Sequence, residues 1–108
     1  MAQSVKIRDL GAAVLVAAGP TVLKGISVVN TIAASQFIQL FNAGSVAAVT
    51  LGTTNPDYEL QVSASSFGGR ELTVDGGQFP TGLVIASTTG EKGATPSGAG
   101  VEVFVELQ

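Results

Sequence analysis

At 108 residues the chain has room for one domain and one modest core. Charged residues make up 12% and hydrophobic ones 45%, and five basic against eight acidic residues leave a net charge of −3 with no basic cluster, which argues against partners held by phosphate neutralisation, whether nucleic acid or anionic membrane. With no Cys, His or Trp, the sequence excludes disulfides, thiolate chemistry and histidine-based acid–base or metal chemistry.

Residues 1–10 place Val5 and Ile7 in alternation with Lys6 and Arg8, an N-terminal arm able to pair as a strand. The longest apolar run, GAAVLVAA at 11–18, falls short of the roughly 20 residues of a membrane helix. Between Lys6 and Arg8 on one side and Ala17-Ala18 on the other it imitates a secretory leader, but Asp9 stands at the wrong place for one. Residues 12–18 read as a small-residue strand closed by Gly19-Pro20. The division expected is an arm and first strand over 1–20 and a β-sandwich over 21–108, one domain in all.

The stretch TVLKGISVVNTIAASQFIQLFN at 21–42 organises the rest. It predicts strands at 22–29 and 36–42 around a turn at 30–35. In the first, Val22, Lys24, Ile26 and Val28 alternate with Leu23, Gly25, Ser27 and Val29. In the second, Phe37, Gln39 and Phe41 alternate with Gln36, Ile38, Leu40 and Asn42. No face is clearly wet, as expected of strands in a sandwich that also packs on something else.

A weak strand is expected at 47–51 and a turn at Asn55-Pro56-Asp57. Tyr58, Leu60 and Val62 then alternate with Glu59, Gln61 and Ser63, a half-buried antiparallel strand. Phe67-Gly68-Gly69 reads as a turn into a strand at 70–74 with Leu72 and Val74 inward. Asp75-Gly76-Gly77 reads as another turn, and 80–88 as a strand built on Leu83-Val84-Ile85-Ala86. Residues 88–100, TTGEKGATPSGAG, have loop composition, and so long an aperiodic segment in a small domain points to function. The last strand, 101–107, alternates Val101, Val103, Val105 and Leu107 with Glu102, Phe104 and Glu106. The sum is about eight short strands and no persuasive helix: an all-β, single-domain antiparallel β-sandwich of jelly-roll-like form.

Little in this pattern carries chemistry. Glu59 with Glu71, or Glu102 with Glu106, has the residue types of a glycosidase pair, but strand alternation assigns them to solvent-facing positions. The glycines and lysine of 90–95 lack the order of a phosphate loop, and Asp75-Gly76-Gly77 has no second copy to complete a calcium cage. No catalytic, cofactor-binding or metal-binding residue is assigned. Lys6, Arg8 and Arg70 are scattered, in the manner of individual interface contacts. Among Phe37, Phe41, Tyr58, Phe67, Phe79 and Phe104 most belong in the core. Phe67 and Phe79, flanked by glycine-rich turns, either cap that core or insert into a partner's pocket.

The segment GISVVNTIAASQFIQLFN at 25–42 resembles a pattern of small virion proteins of tailed bacteriophages: a strand of form G-x-x-x-x-N-T, small residues, then aromatic-x-Q-L-F. Gly77-x-Phe79 and TGLVIASTTG at 81–90 resemble its later part, so that the resemblance spans about 21–107 through structural motifs alone. It implies a sandwich or jelly-roll module of the capsid exterior, without cofactor or enzymatic activity. Such a decoration, or cement, protein bridges neighbouring major capsid subunits as a homo-oligomer, with a trimer favoured, and has no nucleic-acid or membrane partner. The contact elements expected are 1–10 and 88–100, and the candidate contact residues are Lys6, Arg8, Asp9, Phe67, Arg70, Phe79, Glu91, Lys92 and Thr95. The arm is expected to serve attachment and not folding. A tail, neck or head-fibre component shares this composition. A carbohydrate-binding sandwich needs an exposed aromatic platform, for which a chain with no Trp and one Tyr offers little.

Overall fold

The computed structural model describes residues 3–71 and 77–108, with Gln3 and residues 69–71 described by backbone alone. Alternation becomes strands: β1 (Gln3–Ile7), β2 (Val14–Ala17), β3 (Thr21–Asn30), β4 (Gln36–Asn42), β5 (Tyr58–Val62), β6 (Ser66–Glu71), β7 (Gly77–Phe79), β8 (Leu83–Thr88) and β9 (Val101–Leu107). One sheet runs β1-β9-β3-β6, with β7 also on β3, and the other runs β2-β8-β4-β5. All pairings are antiparallel; β1 with β9, β2 with β8, β3 with β6 and β7, and β4 with β5 are nested, and β3 with β9 and β4 with β8 join successive nested pairs within each sheet. β6 and β7 share one strand position along β3, at Gly25–Asn30 and Thr21–Leu23 respectively. A doubled-over hairpin whose successive rungs go to alternate sheets is a jelly roll.

The core lies between the sheets. Leu23, Ile26 and Val28 of β3 meet Ile38 and Leu40 of β4, Leu83 and Ile85 of β8, and Val101, Val103, Val105 and Leu107 of β9. The residues between these on β4 and β8 point the other way, where Phe41, Val84 and Ala86 join Ala43 in a second buried cluster with Ala13, Val49 and Leu51 packed on it. β8 is therefore buried along its whole length. The covering that the apolar faces of β4 and β8 demand comes from the chain itself: residues 43–57 fold over the outer face of the β2-β8-β4-β5 sheet. Within them 47–51 is not a strand. Val46–Ala48 is a 3-10 turn, because alanines offer no cross-strand side chain, while Val49 and Leu51 gain more by packing down onto Phe41.

Residues 88–100 cover the rest of this sheet and are not structureless. Gln39, fully buried, donates through Nε2 to Thr88 Oγ1 (2.8 Å) and Gly93 O (3.2 Å). Thr89 N donates to Thr95 O (3.0 Å), Ser97 N donates to Ser87 O (2.8 Å), and the Ser97 hydroxyl donates to Gln36 Oε1. The loop is a polar lid, tied at both ends.

Three further expectations need correction. Residues 3–7 do pair as a strand, as their alternation allows, but within the domain's own sheet, so that the segment does not lie outside the regular strands as its expected contact role assumed. β1 pairs with β9 from Gln3↔Leu107 to Ile7↔Val103, Val5 and Ile7 pack on the core, and Leu10 is fully buried. Phe67-Gly68-Gly69 is not a turn but the middle of β6, since the chain has already reversed at 64–65, where Ser65 takes φ +49°. Leu72, Val74 and Asp75-Gly76 lie outside the described residues. Finally, β3 and β4 are not a hairpin but belong to different sheets, and 31–35 carries the chain from one to the other. One glycine fixes the join between layers. Gly82 has φ +154°, and a Cβ there would stand 2.5 Å from Ala43 O and 2.6 Å from Ala17 O.

Candidate binding surface

Among the described residues one sheet is covered on its inner face and, except at Leu15 of β2, which is 38% exposed, on its outer face as well, whereas no segment covers the outer face of the other. Outward residues of the β1-β9-β3-β6 sheet follow from register: Lys6 lies beside Phe104, Phe104 beside Ser27 and Ser27 beside Gly69, while Glu102 lies beside Val29 and Val29 beside Phe67. Phe67 is 81% exposed, Val29 39% and Phe104 38%. Lys6 Nζ sits 5.3 Å from the Phe104 ring centroid, a cation–π contact that keeps the ammonium in water while its stem covers the ring. Arg8 Nε is 3.9 Å from Glu102 Oε2 with Arg8 75% exposed, a solvent-screened pair that orients more than it stabilises.

At the end of β3 this face hollows. One depression of about 330 Å³ is lined by Val29, Asn30, Thr31, Ser65, Ser66 and Phe67, and a second of about 250 Å³ by Val29, Thr31, Arg8, Asp9, Gly100 and Glu102 among others. Shared at Val29 and Thr31, they form one shallow groove across four strands. Its floor is fixed by backbone and hydroxyl bonds. Thr31 N and Oγ1 both donate to Gly100 O (2.9 and 2.8 Å), and Gly100 N donates to Asp9 Oδ1 (3.1 Å). Gly100 is at φ +113°, and a Cβ on it would meet Ile32 Cγ1 at 2.9 Å, so the close approach requires glycine.

The far wall hangs on Asn30, which is 1% exposed. Its Nδ2 donates to Ala34 O and Ser63 O (both 3.0 Å) and more loosely to Val62 O (3.4 Å), while its Oδ1 accepts from Ile32 N (2.9 Å). Ser65 N donates in turn to Ile32 O (2.9 Å). One amide thus ties the 31–35 turn to the 63–65 turn and sets Phe67 opposite Val29.

Four of the residues singled out in the sequence, Lys6, Arg8, Asp9 and Phe67, gather on this face. Glu91, Lys92 and Thr95 are exposed on the polar lid of the other sheet, where Lys92 N donates to Glu59 Oε2 (2.8 Å). Phe79 is fully buried, its ring tilted by 58° to that of Tyr58 at 5.5 Å, so in this fold it caps the core, one of the two roles open to it. The Arg70 side chain lies outside the described residues. Val29, Thr31, Glu102 and Phe104 belong to the surface without having been singled out. The alternation of β9 had already put Phe104 between two glutamates on the face opposite the valines. Among the described residues three acids serve structural bonds, Asp57 Oδ2 accepting from Asn42 N (2.7 Å), Glu59 from Lys92 N and Asp9 from Gly100 N, and no cluster of three metal-ligating side chains forms.

No protein-family model matches the chain, and no curated protein matches it. Similar solved structures include one described as the crystal structure of PirA, 14% identical over 97% of this chain and 92% of that one with a TM-score of 0.48. The Tobacco streak virus coat protein is similar at 7% identity over 99% of this chain and 85% of that one, TM-score 0.48, and its dimer at 8% identity with the same coverage, TM-score 0.45.

Proposed function

We propose that this chain is a non-enzymatic virion structural protein that decorates the capsid exterior and cements it by bridging neighbouring major capsid subunits. The observation that carries the reading is the asymmetry between the sheets. Among the described residues, two loops cover most of the outer face of one sheet and no segment covers the flat part of the other, where Lys6, Phe104 and Ser27 stand in water, and an uncovered sheet face with an exposed aromatic ring is a docking face. The resemblance of 21–107 to tailed-phage virion proteins supports the location. The flat part of the face, where Lys6, Phe104 and Ser27 lie in one row, seats on the shell, and the lid with Glu91, Lys92 and Thr95 faces a neighbour from the opposite side. Binding only the assembled shell stabilises that state in proportion to occupancy. In a homotrimer three modest contacts hold by avidity.

Quantitative mass spectrometry of purified virions tests this. A simple ratio to the major capsid protein is expected, whereas a handful of copies per particle would place the chain in the tail or neck. Ser27→Arg adds bulk at the centre of the flat row, where Ser27 is exposed. The variant should fold normally yet lose at least about tenfold in occupancy, a contact loss of roughly 1.4 kcal/mol or more. Undiminished occupancy would remove this face from the interface.

A further inference from the structure

We propose that the groove at the end of β3 binds a short neutral oligosaccharide, an activity separate from attachment to the shell. The argument begins with what the groove offers. Phe67 is the most exposed large apolar side chain described, a ring standing free on one wall. An aromatic face carries a negative quadrupole and favours polarised C–H bonds, and one face of a pyranose ring is a disc of such bonds. Beyond the platform the lining turns polar in both senses. Arg8 supplies donors from an exposed guanidinium, whereas Glu102 and the second oxygen of Asp9 are acceptors. Thr31 Oγ1 gives its proton to Gly100 O and keeps its lone pairs, and Ser65 and Ser66 add hydroxyls beside Phe67. Paired donors and acceptors around an apolar patch match vicinal hydroxyls around a C–H face.

Other occupants fit worse. An apolar side chain of a protein would take the second oxygen of Asp9 and the loosely paired Glu102 carboxylate out of water while offering them no donor. A nucleic acid would bring phosphates against two carboxylates. Length agrees as well: from Phe67 on β6 to Arg8 beyond β1 the groove crosses three strand spacings, about 14 Å, room for two or three sugar units. Asn30, Asp9 and Gly100 fix the walls in advance, so little ordering cost is added on binding.

So shallow a site binds weakly, with a Kd on the order of 1 mM. On the decoration reading, many copies per particle would convert this into firm adhesion to a glycan-bearing surface. The binding itself does not rest on that reading.

Amide chemical shifts of the isolated chain, followed on titration with cellotriose, maltotriose, triacetylchitotriose and globotriose to about 20 mM, test it. At least one of these should move the amides of Val29, Thr31, Phe67 and Gly100. Phe67→Ala should weaken that binding at least about tenfold, while Phe67→Trp, a wider platform, retains it. Silence at these amides with all four sugars, or unchanged binding by Phe67→Ala, overturns the proposal. Silent titrations together with reduced virion occupancy of Phe67→Ala would make Phe67 a protein contact and overturn it equally. A virion count that fails to find the chain on capsids bears on the decoration reading alone.

Discussion

Asn30 does at the scale of one residue what a disulfide does in other small sandwiches, joining segments far apart in the chain. Its amide, itself buried, satisfies the part-buried carbonyls of Ala34 and Ser63 and the amide of Ile32. Asn30→Ala leaves those groups unpaired, and the expected loss is about 2–4 kcal/mol in urea denaturation with the slope unchanged. Asn30→Asp should be worse than Ala, since a carboxylate cannot donate to the three carbonyls and would be buried beside them. Equal stability of wild type and Asn30→Ala would mean that the two turns hold their places without the amide. The residue stands in the sequence as the N of G-x-x-x-x-N-T, so its presence at a strand end was legible. Its role was not, because its partners at Val62 and Ser63 arrive some thirty residues later. Phe79 was ambiguous for the same reason: glycine neighbours left exposure open, but Tyr58, from the other sheet, closes over it.

At the scale of elements, alternation was readable wherever one face is wet. β9 shows this best, its valines inward and its glutamates and Phe104 outward, as the period of two requires. β6 was displaced because Gly68-Gly69 looks like punctuation, whereas in the fold glycine leaves the outer face beside Phe67 uncluttered. Cover on both faces was expected of β3 and β4; it holds for β4, but Ser27 and Val29 leave the outer face of β3 in water, and a sequence does not say whether a partner or the chain's own loops provide the cover. β1 gives the sharpest test. It looked like a detachable arm because five of the first nine residues of the sequence are polar or charged, yet Val5 and Ile7 pack inward and its backbone satisfies the edge of β9. Deleting residues 1–7 should cost on the order of 3 kcal/mol or more and expose β9 as an open edge, so that the truncated chain both unfolds earlier in denaturant and aggregates in light scattering. A cooperative transition at the wild-type midpoint would restore the arm reading.

For the molecule as a whole, nesting has a kinetic consequence. β1 pairs with β9 across nearly the full length of the chain, and β3 must wait for β9 as well, so closure entropy is spent on the longest loops before the largest pairings reward it. Among the described residues only β4 with β5 is a local hairpin, spanning 43–57. Because Gln3 lies directly opposite Leu107, a short glycine-rich turn can join the two ends, and new ends can be opened in the exposed bend at Thr53. In that circular permutant β9 and β1 become a hairpin and β9 meets β3 through a short crossing, while β4 and β5 become the distant pair. The sheets, their register and the groove are untouched, so equilibrium stability should change little. Folding should be faster than in the parent chain, because the β1–β9, β3–β9 and β2–β8 pairings come closer along the chain by more than the β4–β5, β3–β6 and β4–β8 pairings move apart. Stopped-flow refolding of both forms measures this. A permutant that folds more slowly would show that the β4–β5 hairpin, and not the β9 pairings, limits the rate, and substitutions along β5 would then slow folding of the parent chain in proportion to the stability they remove.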